Sequence, residues 1–447
     1  MVRKLDRRSL VKTASGAGAG LAAAGALGLA SKRSSTFAAP ALIQSTGSTV
    51  ELAYWTSFGS GVNGDAQTAL IEKFNASQSE IKVVPQALEN YEAIASQLIT
   101  GLQTGDIPDI ALLSDVWWFR FYLSESLADL TPMLTPEMQT DDYVQSLFTE
   151  YQRNGGQYAI PFARSTPLFY YNADAVEKSG VSPDVFAKWS TFREAAPELI
   201  SKGGLETAFA FGNAASYGAW VLHGPVWAFG GRYSDADFNI KIAEEGGVKT
   251  GEFMREFVSS GNAITVEDPV TDFANGVSTA ILASTGSLGT IKSTATFNFT
   301  TAFLPEEEQF GCCTGGAGLA VMAGAPDENK AAALKFIEFC TSTAETTTWS
   351  QATGYMPVRT SAIESPEEQK FLDENPNSRT AVEQLPKTQP QDSARVFIPN
   401  GDQILGRGWE QILVNNRPAA EVWTEVTEEL QPEAEAVLEQ VEALESQ

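Results

Sequence analysis

An α/β protein of two domains is what this sequence predicts, on three observations. Strands and helices alternate through the first ordered stretch, the pattern that builds parallel sheets covered by helices. A chain of 447 residues exceeds one compact core. The third observation is PFARSTPLFYYN, residues 161–172, an apolar strand (Leu168, Phe169, Tyr170, Tyr171) entered through small hydroxyl residues and a proline. A chain crosses between domains in this way: extended, stiffened by Pro167, with Ser165 and Thr166 free to face a cleft. An ordinary buried strand after a turn is the other reading of the same residues.

Residues 1–41 read as an address and not as fold. Arg7 and Arg8 stand in DRRSLVK, before a Gly/Ala-rich apolar stretch from about residue 14 to 30; Lys32, Arg33 and the small residues around 37–41 follow. A charged start, a weakly apolar middle and an A-x-A-like end describe an export signal, and paired arginines point to the twin-arginine route. The stretch is too poor in Leu and Ile for a membrane span of about 20 apolar residues. No cysteine follows it, so no lipid anchor is indicated. Cleavage is expected between Ala38 and Ala41.

Residues 50–57 alternate as a strand, 65–77 as an amphipathic helix and 81–87 as a second strand. A helix over 91–104 carries Ile94, Leu98, Ile99 and Leu102 on one face, and the turn at 105–108 leads into a strand over 109–114. Ligands collect at the carboxyl ends of strands in such sheets. A second α/β region follows Thr166, with helices near 174–178 and 192–202 and an aromatic, glycine-rich stretch at 211–231. The chain is expected to return to the first domain near Ile281 and to cross again near Gly354–Pro357. From Pro418 an acidic helical tail, broken at Pro432, places Val422, Val426, Leu430, Val437, Val441 and Leu444 against a domain.

Removing residues 1–41 takes seven of the 30 basic and one of the 56 acidic side chains, leaving 23 against 55, a net charge of −32. Nucleic acid and anionic membranes both need positive patches and are excluded as partners. Three cysteines, Cys312, Cys313 and Cys340, make no disulfide framework, although one bond from Cys340 to either neighbour is open. The lone histidine, His223, leaves no His-based zinc site or triad and reads as a packed residue. No cofactor or metal is expected.

Four segments carry a resemblance: PFARSTPLFYYN, then ASTGSL at 283–288, TGGAGLAVM at 314–322 and ATGYMPVR at 352–359. In order and spacing the chain resembles the solute-binding proteins of bacterial ABC importers, and most of all those for glycerol 3-phosphate and glycerophosphodiesters. The resemblance implies a two-lobed periplasmic-binding-protein fold with discontinuous lobes and a hinge. The first lobe would hold 42–163 and 283–353, the second 164–282 and 354–447 with the C-terminal helices.

It also implies a ligand set, carried over where the local sequence matches. Tyr91 in NYE matches a ligand-contacting tyrosine; packing on the second strand is its other reading. Asp115 in LLSDV stands where the family has a glutamate that accepts from glycerol hydroxyls, or it caps the helix that follows. Ser165 and Ser284 match hydroxyls turned toward phosphate, and Gly316 offers a backbone N–H without a side chain in the way. Tyr355 in TGYMP and Arg395 in SARVF complete the set. Arginine's planar fork fits two phosphate oxygens, so Arg395 is the expected anchor. Tyr217 replaces a family tryptophan while Trp220 is kept, and Tyr217 can stack on a glycerol backbone or on choline. Arg164 either joins the phosphate site or pairs with Asp115.

The function expected is capture of glycerol 3-phosphate or a glycerophosphodiester by a monomer, which hands it to a membrane ABC permease without chemistry. A mono- or oligosaccharide ligand is the alternative, with Trp55, Trp117 and Trp118 as stacking faces. A secreted carboxylate-dependent glycosidase is the rival from another class; clusters such as Glu306–Glu308 and Glu367–Glu368 read as solvated surface instead.

Overall fold

The computed structural model of the protein describes residues 49–446, so the expected export signal lies outside the described residues. Twelve strands are labelled in chain order: β1 (Val50–Thr56), β2 (Ile81–Ala87), β3 (Ile110–Ser114), β4 (Gln152–Arg153), β5 (Gly156–Gln157), β6 (Ile160–Ser165), β7 (Pro167–Asn172), β8 (Thr207–Gly212), β9 (Ala263–Val266), β10 (Ser278–Ser284), β11 (Phe299–Ala302) and β12 (Gly315–Val321). They form two five-stranded sheets, β2-β1-β3-β12-β6 and β11-β7-β10-β8-β9, and a small β4–β5 hairpin. In the first sheet β1 runs parallel to β2 and β3, while β12 is antiparallel to β3 and β6. In the second, β8 is parallel to β9 and β10, while β7 is antiparallel to β10 and β11. Every residue of β3, β6 and β8 is buried, as expected of strands covered on both faces.

Between the strands of the first sheet lie α1 (Gly61–Ser77) and α2 (Tyr91–Thr104). Asn90 caps α2 by accepting from the Ala93 N–H at 2.8 Å, which fixes Tyr91 at its first position. A short helix α3 (Trp118–Leu123) follows β3.

Thr166 is the crossing between sheets, for β6 ends at Ser165 and β7 begins at Pro167. A second connection lies beside it: the Thr285 N–H donates to the Thr166 carbonyl at 3.0 Å, and the Thr166 N–H to Thr285 Oγ1 at 3.3 Å. The chain leaves the second sheet near where a return was expected, Asn63 of α1 donating to the Gly286 carbonyl at 3.3 Å and the helix Leu288–Thr294 packing on α1, but it does not yet join the first sheet. β11 pairs with β7, so residues 299–302 belong to the second sheet, and the chain crosses back between β11 and β12. Along β7, Phe299 stands opposite Asn172 and Ala302 opposite Phe169.

The third crossing also falls later. The Met356 N–H donates to Arg164 on β6, and buried Arg359 donates to the carbonyl of Met138 at 2.9 Å and contacts Asp142 at 3.3 Å, both on the first-sheet side. A buried guanidinium must find acceptors, and these hold residues 354–363 there. The second sheet is reached again at the helix Pro376–Gln384, where Thr301 donates through its N–H to Asn377 Oδ1 at 3.0 Å.

The tail is one helix, Ala419–Glu445, with Pro432 inside it. A proline there removes one ladder hydrogen bond and costs about 3 kcal/mol. The stripe Val422, Val426, Leu430, Ala434, Val437 and Val441 is buried on both sides of Pro432 and offsets that loss. The helix packs on Glu245–Ser259 and Gly401–Leu413 beside the second sheet. Its end reaches the first-sheet side, where Glu445 accepts from the Tyr122 hydroxyl at 3.4 Å and pairs with Arg153. Cys312, Cys313 and Cys340 are free, buried thiols, so the bond left open to Cys340 is not formed. Glu368, expected on the surface, is buried and accepts from Gln351 at 2.8 Å.

Candidate ligand-binding cleft

All eight residues expected in a site line one cavity of about 100 Å³ between the two sheets, together with Ser114, Val116 and Trp220. They arrive from strand ends and from the ends of helices. Tyr91 opens α2, Asp115 follows β3, Ser165 ends β6, Ser284 ends β10 and Gly316 lies in β12. Tyr355 follows the helix Thr343–Thr353, and Arg395 rides on the four-residue helix Ser393–Val396. A larger hollow of about 330 Å³ continues outward past Tyr91, Tyr217, Trp220, Ser284 and Tyr355 to Glu89 and Glu267.

Arg395 is the buried cation of this cavity, only 2% exposed. Its Nε lies 2.7 Å from Asp402 Oδ1, though out of line for a hydrogen bond, and its Nη1 lies 3.7 Å from Asp115 Oδ2. Burial disfavours the charge, but the Asp402 and Asp115 carboxylates outweigh it and push the guanidinium's pKa up. Gln391 joins the set as a link: its amide donates to Asp115 and accepts from Arg395. Asp115 is therefore no helix cap; its carboxylate is turned to the cleft.

Three phenols and an indole form the apolar wall. Tyr355 stacks on Trp349 with centroids 5.7 Å apart, and Phe58 meets its edge at 5.7 Å. Trp220 is fixed by its Nε1 donating to the Thr314 carbonyl at 3.0 Å. Tyr217 has φ +59°, a left-handed backbone uncommon for a side-chain-bearing residue, and this aims its ring into the cleft. Its hydroxyl reaches Glu92 of α2 at 3.5 Å, across the gap between sheets. Ser114 Oγ is buried without a hydrogen-bond partner, while the Tyr91 hydroxyl neighbours that of Tyr355 and the Trp117 indole neighbours Glu92. Burial pushes the Tyr91 phenol up, and the neighbouring Tyr355 phenol adds to the effect. Glu92 is also pushed up, by burial first and by the facing Asp402 carboxylate.

Arg164 does neither thing expected of it. It is wholly buried, pairs with Glu150, and donates to the Tyr151 hydroxyl at 2.7 Å. Burial pulls its pKa down to about 10, so it stays charged at neutral pH and braces β6 from behind the cavity. Trp55, Trp117 and Trp118, expected as stacking faces for a sugar, line neither the cavity nor the hollow beyond it. Sequence reasoning missed Glu92, Gln391 and Asp402. Their only signal was position, Glu92 next to Tyr91 and the other two four residues before and seven after Arg395.

Residues 69–378 match the sequence profile of the bacterial extracellular solute-binding proteins. The chain belongs to that family. The sn-glycerol-3-phosphate-binding periplasmic protein UgpB of Escherichia coli K12 is 26% identical over 367 residues, 77% of this chain and 82% of that protein. The crystal structure of UgpB from Mycobacterium tuberculosis in complex with glycerophosphocholine is 37% identical with a TM-score of 0.81, covering 88% of this chain and all (100%) of that one. The GacH receptor of Streptomyces glaucescens GLA.O, solved unliganded and with acarbose, has a TM-score of 0.77 at 19% identity, a likeness of fold alone. Two α/β lobes with a cleft between them are thus the family architecture, and the cavity described above occupies that cleft.

Proposed function

We propose that this protein is the solute-binding component of an ABC importer, and that its cleft takes the glycerol-phosphate unit of a glycerophosphodiester such as glycerophosphocholine. The observation that carries the reading is the convergence of Arg395, Asp115, Ser165, Ser284, Gly316 and the three tyrosines on one buried cavity. Arg395 would fork onto two phosphate oxygens, displacing the Gln391 amide from one nitrogen. Asp115 would accept from the glycerol hydroxyls. Ser165 and the Gly316 backbone would supply donors, and Tyr91, Tyr217 and Tyr355 would enclose the ligand's carbon skeleton.

Glycerol 3-phosphate itself fits less well. Asp115, Asp402 and Glu92 gather around the single Arg395, leaving no spare positive charge for a dianionic monoester. A phosphodiester carries one negative charge, and a choline group brings a positive one that tyrosine faces accept. The ligand touches both lobes, so binding and closure are one equilibrium, driven only by contacts the closed form adds. A micromolar dissociation constant corresponds to about −8 kcal/mol, within reach of several charge-assisted bonds. No step of this reading needs a reaction or a cofactor. Export by the twin-arginine route, action as a monomer and delivery to a membrane permease complete it.

Calorimetric titration of the mature protein with glycerophosphocholine, glycerol 3-phosphate and maltose tests the reading, with Arg395→Ala alongside. Glycerophosphocholine should bind most tightly, and the variant should lose at least a hundred-fold in affinity, about 2.7 kcal/mol. Binding of maltose alone, unchanged in the variant, would overturn the phosphate ligand and leave a sugar carrier. Release of glycerol on long incubation would overturn a purely binding role.

A further inference from the structure

Arg232 stands outside the cavity, its side chain 41% exposed, yet it grips the stretch that carries the ligand-facing arginine. One nitrogen, Nη1, donates to Asp392 Oδ1 at 2.9 Å; the other, Nη2, donates to Gln389 Oε1 at 2.9 Å. These two acceptors flank Gln391, which touches both Asp115 and Arg395. The guanidinium also lies over the Trp227 ring at 4.6 Å, so its own position is fixed by stacking as well as by charge.

Asp392 is the centre of this arrangement. Its Oδ2 accepts from Trp227 Nε1 at 3.1 Å and from the Tyr233 N–H at 2.8 Å, with His223 Nε2 3.0 Å away. Its carbonyl accepts from the Arg395 N–H at 3.0 Å, at the start of the four-residue helix. The Ala394 N–H is held in turn by Ser234 Oγ at 2.8 Å. So few helical residues cannot hold their own geometry, and the direction of Arg395 is set by what grips Asp392 and Gln389.

We propose that Arg232 is a positioning residue for the ligand site: through Gln389 and Asp392 it sets the course of residues 389–395 and so the direction in which the Arg395 guanidinium points. The phosphate-binding role of Arg395 that this serves rests on the function proposed above. Lysine keeps the charge of Arg232 but cannot span two acceptors with two fixed nitrogens. The two substitutions Arg232→Lys and Arg232→Gln therefore separate positioning from charge.

Two measurements are made on the wild type and both variants. The first is hydrogen exchange of the peptide 388–398 without ligand. Faster exchange there in both variants, with melting temperatures within a few degrees of wild type, is the expected result; wild-type protection would overturn the proposal. The second is affinity for glycerophosphocholine at low and high salt. Both variants should bind about ten-fold more weakly at either salt concentration. Wild-type affinity in Arg232→Lys, with the loss in Arg232→Gln vanishing at high salt, would show that Arg232 supplies only charge and would overturn positioning. A wild type that fails to bind glycerophosphocholine would sink the ligand assignment, while the exchange measurement still judges the anchor.

Discussion

A Cβ built on Gly316 meets the Ala163 carbonyl oxygen at 2.1 Å, and its φ of +101° lies where side chains are strained. Gly316→Ala should therefore cost about 2–4 kcal/mol, read from urea unfolding, besides blocking the backbone donor of the cleft. Glu92 carries the opposite kind of strain. Burial, with Asp402 facing it, raises its pKa, so the folded protein disfavours its ionised form. A carboxyl raised in this way costs stability above its folded pKa and costs nothing below its unfolded one. Glu92→Gln should raise the melting temperature by a few degrees at pH 7–8, and the gain should disappear near pH 4. An unchanged or lower melting temperature at pH 7–8 would mean the Tyr217 contact at 3.5 Å stabilises Glu92 more than burial destabilises it.

Between residues and the whole molecule stand the helices and strands, and the C-terminal helix is the clearest test among them. Leu430 is fully buried two residues before Pro432. Leu430→Ala should cost about 2–4 kcal/mol. A cost below 1 kcal/mol would mean that the helix beyond the proline holds without that stripe. The sequence betrayed this helix through its apolar positions but misjudged Pro432, because propensity sees a lost hydrogen bond and not the buried surface on either side. The first strands and helices were legible by period alone, with α1 starting at Gly61, earlier than expected. The crossings were harder: β11 has four residues and declares itself only by pairing with β7. Within the site, motif residues such as Tyr91, Ser165 and Tyr355 could be read from their neighbours in sequence. Asp402 and Gln391 could not, since their meaning lies in contact with Arg395 and Asp115 across the fold.

Charge acts on the molecule as a whole. The full chain carries −26 and repels anions at a distance, whatever Arg395 does at close range. Association of a net-anionic ligand such as glycerol 3-phosphate should therefore quicken as salt screens that field, in stopped-flow traces at constant protein concentration, whereas zwitterionic glycerophosphocholine should respond little. Rates that fall steadily with salt would reveal a local positive funnel instead. Tying the lobes together has another consequence, which concerns the order of synthesis. β12 sits between β3 and β6, and β6 has no other neighbour in its sheet. β6 ends at Ser165, but β12 is complete only at Val321. At about 5–20 residues per second, roughly 8–30 s of translation separate a strand from its partner. A chain released within that interval exposes the unpaired edges of β3 and β6. Such a fragment is a client for chaperones or proteases, and not a smaller working protein.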